Sequence, residues 1–219
     1  MTDARETILQ RIRGALAETR TSVETMPPAP EVWPPSDDDR EALAARFARE
    51  LADVHGRAQR FATIEAARAW LAETIREHGW NTIGAFDAPP VRELLEGIDG
   101  TEIAYACDDW QPADVAALPL GVVAAERLLA DTGSCAVACR TAAERMLCYL
   151  PPACVVVARV EQVAEHLPAA WEHLAALAAD GNTRGELVII TGPSRTADIE
   201  KILILGVHGP KQLIVLLVG

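Results

Sequence analysis

The sequence predicts an α/β protein: an open three-layer fold with a mixed, mostly parallel sheet and an N-terminal helical arm. Segments with strand character alternate with segments of helical periodicity, which is typical of parallel strands joined by helices. The strands near 154–160 and 211–219 are almost continuous runs of Val, Ile and Leu. Such runs are typical of strands that are buried on both faces of a sheet.

The first 36 residues are expected to form a helix and a proline-rich linker that precede the α/β domain at 37–219. Apolar residues recur at helical spacing from Ile8 to Leu16. A stretch with five prolines follows, and proline lacks an amide donor and fixes φ, so this stretch is expected to be extended. Trp33 in the linker is expected to dock on the body, and the arm to serve packing or an oligomer contact.

The first half of the α/β domain is predicted to alternate between helix and strand. Thr63 is of a type favoured at helix N-caps and Gly79 at left-handed C-caps, so the helix between them has both ends marked. Pro89 suits the first turn of a short helix. The predicted elements are helix 38–56, strand 57–62, helix 64–78, strand 81–86, helix 89–97 and strand 102–107.

The second half is predicted to begin with a helix over 124–131, "AAERLLAD", which Gly133 ends. Strands at 134–139 and 154–160 lie close in sequence, so they are predicted to pair antiparallel inside the mixed sheet. Pro168 is expected to bend the helix that follows. The remaining predicted elements are that helix at 161–181 and strands at 186–192 and 211–219.

Composition argues against several classes of protein. The formal net charge is −12 and no basic stripe with interleaved aromatics is present, so nucleic acid is not an expected partner. The charged first 20 residues do not resemble a signal peptide, and no apolar run is long enough for a membrane span. Five cysteines in a chain of 219 residues argue against a disulfide framework and favour reduced thiols in the cytoplasm.

The segment between the last two predicted strands, "TGPSRTADIEKILILGVHGP", predicts an anion-binding site. In open α/β sheets, ligands bind beyond the carboxyl ends of strands, and Gly192 allows close backbone approach there. Ser194 or Thr196 can cap a following helix, whose free N–H groups attract anions. Arg195 adds a bidentate donor, and Asp198 complements the helix dipole or tethers Arg195. The alternative is a capped turn without a ligand.

Three further residues are candidates for this site. His208 is the group whose ordinary pKa allows proton transfer near neutral pH, so it is the candidate catalytic residue, although a lone histidine beside a glycine more often makes a structural hydrogen bond. Thr132 and Ser134 flank Gly133 in "DTGSC" and can line a pocket. The alternative there is a turn that Gly133 alone explains.

No metal or cofactor is expected in this chain. Cys135 and Cys139 on one strand would lie about 13 Å apart, whereas two thiolates on one zinc must be much closer, so a strand excludes a metal site there. The sequence contains no closely spaced cysteine run, no dinucleotide-binding glycine motif, no Walker loop and no G-x-S-x-G motif.

The segment 191–219, with "GVVAAERLLADTGSCAVA" and "LPPACVVVARVEQVAEHL" upstream, resembles the LutC/YkgG family, the LUD-domain proteins of lactate utilisation. The resemblance covers roughly 118–219. It implies the fold of the isomerase/CoA-transferase-like (NagB/RpiA-type) proteins. It also implies oxidation of L-lactate to pyruvate in a cytosolic system whose partner proteins carry iron–sulfur clusters. The site residues carried over by position are Ser194, Arg195, Thr196, Asp198 and His208.

Three functions follow from this resemblance and from the absence of a cofactor motif. In the first, the chain is a lactate-utilisation subunit that binds a small carboxylate or organises the complex. Alternatively, it is a self-sufficient isomerase or transferase acting on a sugar phosphate or an acyl-CoA, because related folds host unrelated chemistry. That alternative requires a catalytic carboxylate in the pocket, with Glu126, Asp131 and Glu144 as candidates. The third function is a non-catalytic scaffold with a vestigial pocket.

Overall fold

The computed structural model describes residues 4–18, 38–183, 186–196, 204–205 and 209–219. The chain divides into two compact units, Met1–Pro35 and Ser36–Gly219. Trp33 lies outside the described residues. None of the helices in the described ranges has the length and apolar character needed to cross a membrane.

The first unit contains helix α1, Ala4–Glu18, as the apolar spacing predicts. The three apolar side chains that define this spacing are exposed; they are Ile8, Ile12 and Leu16. The helices of the second unit are α2 Arg40–Asp53, α3 Ile64–His78, α4 Pro89–Leu95, α5 Pro112–Ala117, α6 Ala142–Leu147 and α7 Leu167–Ala179.

The strands of the second unit form a large sheet, a smaller sheet and a short two-stranded ribbon. The large sheet consists of β1 Arg57–Phe61, β2 Thr82–Ala85, β3 Glu102–Tyr105, β4 Leu120–Ala124, β7 Ala153–Arg159 and β12 Gln212–Val218. The smaller sheet consists of β5 Arg127–Leu129, β6 Ser134–Ala138, β8 Val163–Ala164 and β9 Leu187–Ile190. The ribbon consists of β10 Arg195–Thr196 and β11 Ile204–Leu205.

The large sheet has the order β1-β12-β7-β4-β2-β3, and every neighbouring pair is parallel. Val215 of β12, for example, pairs with Ala58 of β1 and with Val156 of β7. Residues 153–158 and 213–218 are all buried. Because successive side chains of a strand point to opposite faces, these runs require that both faces of the sheet are covered. The predicted α/β fold with a mostly parallel sheet is therefore confirmed.

Helix α3 shows how the local sequence marks an element. The Thr63 hydroxyl accepts a hydrogen bond from the amide of Ala66 (3.3 Å), and Gly79 adopts the left-handed conformation at φ 64°. These are the two caps that the sequence predicts. Between them, Leu71 and other apolar residues at helical spacing are buried against the sheet.

The chain passes from the large sheet into the smaller sheet between β4 and β5. Strand β4 ends at Ala124 and β5 begins at Arg127, so the predicted helix at 124–131 is wrong. The amide of Ala125 donates to the carbonyl of Val157 (3.0 Å), and the amide of Glu126 donates to the carbonyl of Ala136 (2.8 Å). These long-range pairings override the helical propensity of this Ala-, Glu- and Leu-rich segment.

Two further sequence predictions differ from the structure. Strands β6 and β7 do not pair with each other, because β6 lies between β5 and β9 in the smaller sheet and β7 lies in the large one. Helix α7 begins at Leu167, with Pro168 in its first turn, so Pro168 starts this helix rather than bending it. The His166 side chain caps it by accepting from the amide of Ala169 (3.0 Å).

Candidate functional site

The predicted site segment leaves the smaller sheet and reaches the amino end of the large one. The only described neighbour of β9 is β6, which runs antiparallel to it. The amide of Ser194 donates to the carbonyl of Pro210 (2.8 Å), and Pro210 lies just before β12. The amide of Lys211 donates to the carbonyl of Pro152 (2.8 Å), just before β7. Gly192 therefore follows the carboxyl end of β9, as expected, but β9 belongs to the smaller sheet and not to the parallel one.

The helix predicted directly after Ser194 is also corrected. Arg195 and Thr196 form β10, and they pair antiparallel with Leu205 and Ile204 of β11. Amides in a strand point to its two sides, perpendicular to the strand axis, so they do not form the anion-attracting end of a helix. The structure describes only the backbone of Arg195 and Thr196. Asp198 and His208 lie outside the described residues.

A shallow depression of about 440 Å³ lies beside this segment. We call it the Thr191 depression. Tyr149 and Ile189 on its wall are partly exposed. Gly192 and Ser194, both predicted site residues, line it as well. The full lining is Cys148, Tyr149, Val188, Ile189, Ile190, Thr191, Gly192, Pro193, Ser194, Gly209 and Pro210.

Side chains from the two predicted site motifs meet at the edge of this depression. The Ser134 hydroxyl donates to Thr132 Oγ1 (2.8 Å) and lies 2.7 Å from Thr191 Oγ1. The Thr132 hydroxyl in turn donates to Asp131 Oδ1 (3.3 Å). Since Ser134 has one hydroxyl proton, Thr191 must donate to Ser134. The result is a directed row of donors, Thr191 to Ser134 to Thr132 to the Asp131 carboxylate, which we call the hydroxyl relay.

The relay connects the depression to a carboxylate through the protein. Thr191 lines the Thr191 depression and is exposed, whereas Ser134 is only 2% exposed. A buried hydroxyl with two short hydrogen bonds is held in one orientation. The oxygen of Thr191 keeps lone pairs that can accept a hydrogen bond from a molecule in the depression. A proton accepted there has a continuous hydrogen-bonded route to Asp131.

The end of helix α2 holds the two loops of the relay in place. A Cβ atom at Gly133 would lie 2.2 Å from the backbone nitrogen of Leu51, and one at Gly192 would lie 2.4 Å from the carbonyl oxygen of Val54. Gly133 also has a φ of 62°, which favours glycine. The two glycines therefore allow the last turn of α2 to pack directly on the backbone of both loops.

Of the three carboxylates considered in the sequence, only Asp131 belongs to the relay. Glu126 lies 3.6 Å from His173 Nε2 on α7. Glu144 is buried and accepts from the amide of Arg140 (2.5 Å) at the start of α6, so it has a structural partner. Asp131 is therefore the candidate base that the geometry supports.

Four of the five cysteines are buried, and the pKa values of three of them are raised. Burial, followed by the nearby Cys154, raises the pKa of the Cys135 thiol, and burial raises the pKa of Cys154 to about 12. A hydrogen bond with Cys139, followed by burial, raises the pKa of Cys148. Within the described ranges, no three His, Cys, Asp or Glu side chains are arranged to hold a metal ion.

Sequence reasoning missed Thr191 as a site residue and treated Asp131 only as an alternative. Thr191 and Ser134 are 57 residues apart, so no spacing in the sequence indicates their contact. The available signal was that each lies beside a glycine at the end of an apolar strand, in "DTGS" and "TGPS".

Comparisons with known proteins agree with the resemblance noted in the sequence. "Lactate utilization protein C" of Bacillus pumilus (strain SAFR-032) is 33% identical over 98 residues, which are 44% of this chain and 41% of that protein. The protein of the same name from Shouchella clausii (strain KSM-K16) is 22% identical over 222 residues, 94% of this chain and 93% of that protein. "Uncharacterized protein YkgG" of Escherichia coli (strain K12) is 33% identical over 100 residues, 45% of this chain and 43% of that protein. Two of these three alignments therefore span less than half of the relative's length.

A solved structure and a family match complete the comparison. The crystal structure of a DUF162 family protein from Deinococcus radiodurans superposes with a TM-score of 0.63 at 18% identity, covering 83% of this chain and 99% of that one. At this identity the likeness shows the fold. The LUD domain matches residues 109–218, half of the chain, and this range includes the hydroxyl relay. The chain therefore belongs to the LUD-domain family, and LutC and YkgG proteins are among its relatives.

Proposed function

We propose that this protein is a subunit of a cytosolic system that oxidises L-lactate to pyruvate, and that the Thr191 depression binds this small 2-hydroxy carboxylate. Two relatives carry the name lactate utilization protein C, which supports the role in lactate utilisation. The observation that carries the site is the hydroxyl relay, which opens into the depression at Thr191 and ends at Asp131.

The chemistry of the substrate fits this arrangement. Oxidation of lactate to pyruvate removes two electrons and two protons, one of which comes from the C2 hydroxyl. In the proposal, Thr191 Oγ1 accepts the hydrogen bond of that hydroxyl, and the relay passes the proton to Asp131. Arg195 is the proposed bidentate partner of the substrate carboxylate.

The C2–H bond must break as well, and its proton and the two electrons must leave through other proteins. Iron–sulfur clusters on partner subunits would accept the electrons, as the family resemblance implies. We expect no cluster on this chain, because its five cysteines lack the close spacing of a cluster motif. The proposed task of this chain is to bind the substrate, orient it and remove a proton.

A self-sufficient isomerase or transferase is the second candidate, and the Asp131 carboxylate favours it. Isomerases of sugar phosphates also need a base that removes a proton from carbon or oxygen. The two candidates differ in the need for partners. An isomerase would turn over a sugar phosphate alone, whereas the proposed subunit would not oxidise lactate without its electron acceptors.

The proposal is tested by deleting the gene in the source organism and measuring growth on L-lactate and on pyruvate. We expect growth on pyruvate but not on L-lactate, with rescue by the wild-type gene. Asp131→Asn and Ser134→Ala should fail to rescue. Thr183→Val is the matched control, because Thr183 is a buried hydroxyl that bonds to the carbonyls of Leu177 and Asp180.

Each outcome bears on a different part of the proposal. Normal growth of the deletion strain on L-lactate would contradict the role in lactate utilisation. Full rescue by Asp131→Asn and Ser134→Ala would contradict the relay and favour a scaffold. Failure of Thr183→Val at normal protein level would show that any buried hydroxyl matters, and that the relay has no special part.

A further inference from the structure

A second cavity, of about 480 Å³, lies at the amino ends of β1 and β12. This volume is in the range of small-molecule sites. We call this cavity the basic cleft. It contains none of the residues of the hydroxyl relay. It is lined by His55, Arg57, Trp70, Thr74, Glu77, His78, Lys211, Gln212, Leu213 and Ile214.

The charge of the basic cleft is opposite to that of the protein. The chain has 32 Asp and Glu against 20 Lys and Arg and a net charge of −12, yet the cleft has two of the latter, Arg57 and Lys211, against one acidic side chain, Glu77. Two histidines, His55 and His78, also line it. Across the described part of the chain, no salt bridge joins Arg57 or Lys211 to a carboxylate. Their positive charge is therefore not neutralised within the described protein.

Local structure fixes the positions of these basic groups. In the amide orientation that satisfies its hydrogen bonds, Gln59 accepts from Nε and Nη2 of Arg57 (2.5 and 2.6 Å), which leaves Nη1 for another partner. His78 Nδ1 lies 2.8 Å from the carbonyl of Thr74, so Nδ1 carries the proton, and its ring stacks on Trp80 at 4.4 Å.

The end of helix α2 fixes the backbone of His55. His55 has a φ of 68°, and it is the one non-glycine residue at positive φ in the described ranges. This is the left-handed cap that ends α2, in which the amide of His55 donates to the carbonyl of Ala52 (2.9 Å) and the amide of Gly56 to that of Leu51 (2.8 Å). It follows directly on the last turn of α2 and brings the imidazole to the rim of the cleft.

From this geometry we propose that the basic cleft binds a multivalent phosphate-type anion, either inorganic or attached to a small molecule. A phosphate group has oxygens that accept from several directions, which suits donors on the separate residues Arg57, Lys211 and His55, whereas one carboxylate would engage a single fork. Trp70 lies on the wall of the cleft and provides an aromatic surface for the group that carries the phosphate.

This inference does not depend on the proposed function. The basic cleft and the Thr191 depression are separate but come close at two places. Val54 contacts Gly192 of the depression, and the next residue, His55, lines the cleft. Pro210 lines the depression, and the next residue, Lys211, lines the cleft. The phosphate site can be present whether or not lactate binds.

The test is calorimetric titration of the full-length protein with pyrophosphate at constant ionic strength, with sodium L-lactate as the monocarboxylate comparison. We expect saturable pyrophosphate binding that Arg57→Gln and Lys211→Gln each weaken about tenfold or more, because each removes a charge-assisted hydrogen bond. Both residues are exposed, so both variants should fold. Arg40→Gln is the control, because Arg40 is exposed on α2 outside the cleft and its loss changes the net charge equally.

Several results would overturn the inference. They are no saturable binding of pyrophosphate to the wild type, an equal loss of affinity in Arg40→Gln, or unchanged affinity in both cleft variants. Lactate binding that is as tight as pyrophosphate binding and equally sensitive to Arg57→Gln would contradict the phosphate class. A melting curve for each variant separates loss of binding from loss of folding.

Discussion

The packing of α2 on the Gly133 loop makes a quantitative prediction for Gly133→Ala. The new Cβ would lie 2.2 Å from the nitrogen and 2.5 Å from the Cα of Leu51, far inside the contact distance of about 3.5–4.0 Å. These are backbone atoms of a helix, so they cannot move aside as a side-chain tip can. The helix and the loop would have to separate, which opens the hydroxyl relay.

The expected loss has two parts. A left-handed conformation costs an alanine about 1–2 kcal/mol relative to glycine. Overpacking against a fixed neighbour costs about 1–3 kcal/mol more. The free energy of unfolding should therefore fall by about 2–5 kcal/mol, a large fraction of the roughly 5–15 kcal/mol typical of a domain.

Gly79→Ala is the matched control, because it isolates the first part. Gly79 has a similar φ of 64°, but nothing lies within 4 Å of the position its Cβ would take. Denaturant unfolding of both variants should show Gly133→Ala to be the less stable by about 1–3 kcal/mol, with unchanged slopes. Equal losses in the two variants would refute the close packing of α2 on this loop.

Three other predictions concern the fold. Thr63→Ala removes the N-cap of α3 and should lower the free energy of unfolding by about 1 kcal/mol in denaturant titration; no change would mean that the cap at 3.3 Å contributes nothing. A thiol reagent at pH 8 should modify only Cys107 in the native protein, because the other four cysteines are buried, and fast reaction of a second thiol would contradict this packing. Deletion of residues 1–36 should leave a body that unfolds cooperatively, since the chain divides near Pro35, and loss of the unfolding transition would place the arm in the core.

Much of the large sheet and its helices could be predicted from the sequence, because local rules act there without competition. Helix α3 has apolar periodicity and both caps, and β7 and β12 are continuous apolar runs with turns at their ends. The helix predicted at 124–131 is wrong for the opposite reason. Its composition favours a helix, but the amides of Ala125 and Glu126 pair with distant carbonyls. Tertiary pairing of this kind is not encoded in local propensity.

The candidate site could be predicted only in part. The sequence indicates the motifs containing Ser134 and Gly192, because polar and glycine residues at the ends of apolar strands stand out from the pattern around them. It does not indicate their contact, since an antiparallel pairing of β6 with β9 brings together residues far apart in the sequence. The basic cleft could not be predicted from local sequence, because His55 and Arg57 lie far from Lys211 in the chain.

The most direct test of the account is a nuclear magnetic resonance titration of isotope-labelled protein with L-lactate and with pyruvate. The account predicts saturable shifts at the amides of Thr191, Gly192 and Ser194, and no shift at Gly97, which does not line the depression. Arg195→Lys should weaken the binding about ten- to a hundredfold, because a point charge cannot replace a bidentate fork. Unperturbed amides at these positions, or equal affinity in Arg195→Lys, would contradict carboxylate binding at the Thr191 depression.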